Sequence, residues 1–181
     1  MIDISTMAGL MHYESILAES TKEQLLTLPC PERISGKPCP QNLNDLTFEQ
    51  IARLWGLNEQ NGTTLPFEVI MGIDAKQCAN MATIEAMGFL NMVYRELRKI
   101  NEAFQACNSQ PTQEEIAAGI DKLNFGAFGI ADWYAKRMGM TNHDEAFATK
   151  WTRVYQCLKN DKEVEQFRRR YQDIINHKNH V

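Results

Sequence analysis

The sequence has no run approaching the ~18–20 apolar residues needed to cross a bilayer. Its first residues, Met1-Ile2-Asp3-Ile4-Ser5-Thr6, place no basic region ahead of an apolar core and do not read as a secretory signal. Positive charge is not in excess: 19 Lys and Arg stand against 23 Asp and Glu, a formal net charge of −4. Nucleic-acid binding driven by net charge is therefore disfavoured. Nucleophile-elbow (GxSxG), phosphate-loop (GxGxxG, GxxxxGKS/T) and close-spaced metal motifs (CxxC, HxxxH) are all missing. The histidines, His12, His143, His177 and His180, read as surface or terminal groups. No catalytic residue, metal or cofactor is expected, and the chain reads as a non-enzymatic protein.

Cysteine is scarce and irregular. The five residues Cys30, Cys39, Cys78, Cys107 and Cys157 are odd in number and widely scattered. That pattern fits reduced thiols in a cytoplasmic protein. Cys78, Cys107 and Cys157 fall in helix-like stretches, where a free cysteine acts as a small core residue. Cys30 and Cys39 bracket the loop Pro-Glu-Arg-Ile-Ser-Gly-Lys-Pro. A zinc site there would need two more ligands at tight spacing.

Period-two alternation between turn signals is lacking as well, which argues against a sheet. What the chain does contain is helix punctuation. Ser20–Glu23, Thr47–Gln50 and Thr112–Glu115 have capping-box spacing ahead of apolar-periodic stretches. Gly56, Gly72 and Gly139 follow such stretches, where glycine accepts a left-handed conformation. Helices are predicted near 5–18, 21–28, 47–55, 66–71, 75–106, 112–122, 126–138, 142–159 and 161–176. Within 75–106, Ala86, Leu90, Val93, Leu97, Ile100 and Phe104 recur at alternating steps of four and three, one stripe of a helix. Val164, Phe167, Tyr171 and Ile174 repeat the device near the end, so Leu97 and Phe167 are both expected to be buried. Gly126 and Gly129 read as small residues for close helix packing beside Phe125 and Phe128.

The fold class is all-α, a compact multi-helix domain with one long central helix and an N-terminal helical extension. Residues 29–46 hold four of the six prolines, which restrict the backbone and remove amide donors. The expected division is an extension at 1–28, a Pro/Cys linker loop at 29–46 and the main domain at 47–181.

Charge is polarised along the chain. Residues 150–181 carry eight bases against four acids, and the rest is acidic. Arg168, Arg169 and Arg170 cover about 200° of a helix surface and cannot all face one groove. They are candidate contacts for an acidic protein partner. Met81, Met87 and Met92 are candidates too, because methionine gives soft apolar surface; filling of the core is the alternative. Self-association is expected and membrane association is not.

Residues 46–57, Leu-Thr-Phe-Glu-Gln-Ile-Ala-Arg-Leu-Trp-Gly-Leu, look like the first helix and turn of a helix-turn-helix. A basic recognition helix should follow. Asn58 to Pro66 instead give a loop, and then the apolar Phe67-Glu68-Val69-Ile70-Met71. A DNA-associated regulator using 46–57 is thus one alternative reading, and a helical connector or ring subunit of a virion is another.

A broader resemblance covers roughly residues 43–170. The order Leu-Asn-Asp-Leu-Thr-Phe-Glu-Gln (43–50), a loop, Pro-Phe-Glu-Val-Ile-Met-Gly-Ile (66–73) and a long helix resembles tailed-bacteriophage tail assembly chaperones. Leu123–Gly126 through Trp151–Tyr155 is similar in style to their downstream region. The resemblance implies a small acidic helical protein, non-enzymatic, that coats the tape-measure protein and keeps its apolar helices soluble in the host cytoplasm. The first 40 residues and the Pro/Cys loop depart from the family pattern.

Overall fold

The computed structural model describes residues 4–13, 18–108 and 111–179. The fold is all-α, with one two-stranded hairpin among the described residues. The chain divides into two units, the first made of Met1–Leu46 and Gln50–Ile100, the second of Thr47–Glu49 and Asn101–Val181.

Unit 1 is built on the first part of α5 (Thr83–Ala106). Ala86, Leu90, Val93, Leu97 and Ile100 are buried, as the spacing predicts, together with Phe89 and Met92. Phe89 packs on Phe67 with ring centroids 4.7 Å apart. Phe67 opens a π-helical turn, Phe67–Met71, which ends on left-handed Gly72. The sequence predicts one helix over 75–106, but the structure breaks it. Asp74 and Gln77 form a capping box for α4 (Ala75–Ala79), and Asn80 closes that helix. Ala82 then pairs with Thr6 in an antiparallel bridge, with Met7 N–H donating to the Met81 carbonyl at 3.0 Å. Backbone held in this extended pairing cannot also run through a helix, so α5 starts afresh at Thr83.

The N-terminal segment packs within unit 1 instead of standing apart as an extension. Met7 and Leu10 of α1 (Met7–Tyr13) are buried, and Thr83 Oγ1 donates to the Ile4 carbonyl at 2.5 Å. After α2 (Glu19–Leu26), Asn91 Nδ2 donates to the carbonyls of Leu25 and Leu28, at 2.8 and 3.2 Å. Residues 29–46 are likewise structured, not a linker. They form a hairpin of β1 (Arg33–Ile34) and β2 (Lys37–Pro38), paired Arg33 to Pro38 and Ile34 to Lys37. Ser35 and Gly36, with φ of 49° and 79°, supply the two left-handed residues of a tight type I′ turn. Ile34 and Leu43 are buried, and Lys37 Nζ donates to the Met71 carbonyl at 3.0 Å. α3 (Phe48–Leu54) contributes Ile51 and Leu54 to this core.

Unit 2 centres on an aromatic cluster. Phe48 lies 6.2 Å from Phe104 and 5.8 Å from Phe147; Phe104 in turn meets Trp151 and Tyr155 at 6.2 and 5.6 Å between ring centroids. The predicted helix over 142–159 is interrupted inside this cluster. α8 (His143–Ala148) ends at extended Thr149, whose carbonyl accepts from Phe48 N–H at 2.8 Å, and Lys150 pairs with Thr47 in a second isolated bridge. α9 then runs unbroken from Trp151 to Asn179, because neither glycine nor proline interrupts it at the predicted stop near 160. α7 (Gly126–Met138) adds Ala131, Tyr134 and Ala135 to the core and ends on left-handed Gly139.

One stripe predicted to be buried is not. Val164, Phe167, Tyr171 and Ile174 of α9 are all exposed, whereas Leu97 is 5% exposed. Helical spacing places residues on one face; it does not supply the surface that covers them.

A Cβ at Gly88 would lie 2.1 Å from the Pro29 carbonyl oxygen, so segment 29–31 can approach α5 only over a glycine. Alanine should favour the helix by about 1 kcal/mol. Gly88→Ala is nevertheless expected to destabilise by about 1–3 kcal/mol in urea unfolding, because backbone must shift to relieve the clash. The Tyr134 hydroxyl is buried and meets no hydrogen-bond partner among the described residues. Tyr134→Phe is therefore expected to leave stability unchanged or raise it by up to about 1 kcal/mol in the same measurement.

Candidate protein-binding surface

The stretch 113–128 of unit 2 carries a run of large apolar side chains that remain exposed. Thr112 and Glu115 cap α6 (Gln113–Ala117) reciprocally, the capping box that their spacing predicts. Left-handed Gly119 turns the chain into a 3₁₀ turn, Ile120–Lys122, and α7 follows from Phe125. Ile116, Ile120, Leu123, Phe125 and Phe128 along this path are 52%, 38%, 63%, 69% and 56% exposed. Exposed apolar side chains this dense in one stretch make it a candidate for interaction.

Glycines hold the aromatic pair in place, by a route other than the expected helix packing. Gly126 adopts φ +53° with open space around it, so its role is conformational. At Gly129 a Cβ would fall 2.6 Å from Phe125 Cβ; the glycine leaves room for the Phe125 side chain over the first turn of α7.

Polar contacts tie down the rim of this surface. Asp132 accepts from Lys136 Nζ at 2.6 Å and bonds His143 Nε2 at 3.0 Å. The bond from Lys136, and then that from His143, hold the Asp132 carboxyl below its ordinary range. The His143 ring also lies 5.0 Å from Phe128, so α8 is joined to α7 beside the exposed ring. Farther along α7, Arg137 grips both carboxylate oxygens of Asp161 on α9 at 2.9 and 3.0 Å. These ion pairs stand at the surface and position helices, and Arg137 Nη1 also donates to the free thiol of Cys157 at 3.5 Å.

The residues singled out from sequence separate. Met81 and Met92 are 5% and 1% exposed, and Met87 is half-buried. Met81 and Met92 therefore fill the core of unit 1, the alternative given for them, while Met87 stays partly accessible. Arg168, Arg169 and Arg170 are exposed on α9, with Arg169 bonded to Glu165 at 2.5 Å. In the helix-turn-helix-like stretch, Phe48, Ile51 and Leu54 are buried and Arg53 pairs with Glu68 at 2.6 Å. The segment that follows supplies turns and the Phe67–Met71 π-helical turn, not a recognition helix. Helical spacing alone does not reveal the α6–α7 surface. Its sequence signal is apolar residues at steps of 4, 3, 2 and 3 interrupted by Gly119 and Gly126, a pattern that fits no single helix face.

Cys30 and Cys39 do come together. Their sulfurs are 3.4 Å apart at the base of the hairpin, with both thiols free. Gln41 Nε2 bridges the Pro31 and Cys39 carbonyls at 3.1 and 3.2 Å. No group of three metal-ligating side chains occurs among the described residues, so the pair lacks a third ligand there. A groove of about 580 Å³ in unit 1, between Ile4, Leu25, Leu28 and Ile84, carries only hydroxyl and amide polar groups. No described helix is long and apolar enough to cross a membrane.

Comparison with protein-family models, with curated proteins and with solved structures gives no match to this chain.

Burial, and after it the hydrogen bond and charge of Cys30, push the Cys39 thiol from 9.0 up to about 12. Thiolate is the nucleophile. At pH 8, Cys39 should therefore alkylate with iodoacetamide at least ~10-fold more slowly in the native chain than in urea, read by mass spectrometry. Because folding raises this pKa, its contribution to stability is intact below the unfolded value and is lost as pH rises toward 12.

Proposed function

We propose that this chain is a non-enzymatic assembly protein of the tail-assembly-chaperone kind, which shields the apolar face of a helical client such as a tape-measure protein. The observation that carries this reading is the exposed set Ile116, Ile120, Leu123, Phe125 and Phe128. A client helix with apolar residues at i, i+3, i+4 and i+7 can remove that set from water while removing its own stripe. At about 25 cal/mol per Å² of apolar area, two exposed phenylalanines are enough to dominate such a contact. The resemblance over residues 43–170 supports the same class of client.

The connector or ring-subunit reading differs in predicting a fixed assembly without a client. The DNA-regulator reading needs a basic recognition helix after 46–57, where the chain supplies turns and the apolar Phe67–Met71 π-helical turn.

Co-expression with a tape-measure protein from a genome carrying this chain tests the proposal. The client should become soluble and co-purify with the chain. Phe125→Glu with Phe128→Glu should weaken that association at least ~10-fold while leaving the helical spectrum and melting temperature unchanged. A client equally insoluble with and without the chain would refute the reading.

A further inference from the structure

The last helix leaves a second apolar surface uncovered, distinct from the α6–α7 surface. None of residues 155–176 is buried, and Val164, Phe167, Tyr171 and Ile174 are 47%, 60%, 53% and 55% exposed. The Phe167 and Tyr171 rings stack on one another at 6.1 Å, so the stripe is continuous along the helix. Steps of three, four and three are those of the a and d positions of a coiled-coil seam, with Val164 and Tyr171 at a and Phe167 and Ile174 at d. In that frame Glu163 and Arg170 occupy g positions, Arg168 occupies e, and Arg169 faces away, where it bonds Glu165. The three adjacent arginines therefore divide between the two flanks of one seam and its outer side.

We propose that this stripe pairs with the same stripe of a second copy of the chain, the two helices parallel and in register, with Glu163 of each copy meeting Arg168 of the other. Charge decides both occupant and direction. In a parallel pair each g residue faces the e residue five positions later on the other helix, and Glu163 to Arg168 is that step. Two equivalent ion pairs then flank the apolar seam. The antiparallel seating that covers all four apolar residues would instead set Arg168 against Arg168 and Arg170 against Arg170. A uniformly acidic client helix would suit the arginines but oppose Glu163. The parallel second copy gives Glu163 and Arg168 neighbours of opposite sign and sets no arginine against its own equivalent. The inference stands apart from the client reading, because it uses a different surface and no client.

Light scattering of the full chain after gel filtration, across a range of chain concentrations and at two ionic strengths, tests it. A concentration-dependent dimer is expected, tighter at low salt because its ion pairs are screened by ions. Phe167→Glu with Tyr171→Glu should give a monomer with an unchanged helical spectrum, since these side chains are already exposed. Arg168→Glu alone and Glu163→Arg alone should each weaken the dimer at least ~10-fold, and the two together should restore it to within about threefold. Tyr171→Cys should form an in-register disulfide dimer on mild oxidation, beyond any formed by the native cysteines. A monomer at every concentration, a dimer indifferent to the single swaps, or failure of the double swap to rescue would each overturn the proposal. A chain that stays monomeric yet loses its client with the Phe167/Tyr171 variant would assign the stripe to the client instead.

Discussion

Each of the two long helices begins where a single residue is held in an antiparallel backbone bridge. Ala82 pairs with Thr6 and α5 starts at Thr83; Lys150 pairs with Thr47 and α9 starts at Trp151. A residue committed to an extended partner cannot continue the helix before it, so each bridge ends one helical run and fixes the phase of the next. That phase decides which side chains point inward. In unit 1 it puts the Ala86, Leu90, Val93 and Leu97 stripe in the core; in unit 2 it puts Trp151 and Val154 there.

Around these bridges the two units close their cores by different means. Unit 1 brings loop backbone onto a helix: Gly88 offers a surface without a side chain to Pro29, and Asn91 satisfies the carbonyls that end α2. The Pro/Cys segment is held by this contact and by its own hairpin. Unit 2 closes with rings, the cluster of Phe48, Phe104, Phe147, Trp151 and Tyr155. An aromatic core of that kind buries much area with few residues. Ile116 of α6, Phe128 of α7 and the Val164–Ile174 stripe of α9 are left at the surface.

Much of the helical framework was legible from residue spacing. The α5 stripe, the Thr112 capping box and the glycine stops at Gly72 and Gly139 depend on neighbours within one or two turns, and such local chemistry survives wherever the helix is placed. The hairpin has a local signal in the tight-turn pair Ser35-Gly36, but the prolines around it give the segment the composition of a linker. The breaks at 80–82 and 149–150 carried no such signal. They arise from pairing with residues 76 and 103 positions earlier in the chain, and nothing in the local pattern records so distant a partner.

The same limit governs the site. Sequence by itself determined an all-α chain, the apolar stripes of its long helices and the concentration of basic charge in its last helix, because composition and period alone create those features. Tertiary structure alone decided which stripe is covered. Leu97 and Phe167 sit on stripes of equal quality, yet one is sealed and the other stands in solvent. It also buried Met81 and Met92, brought Cys30 and Cys39 together, and left Phe125 and Phe128 exposed. Burial belongs to a pair of surfaces, and only the folded chain specifies the second member of each pair.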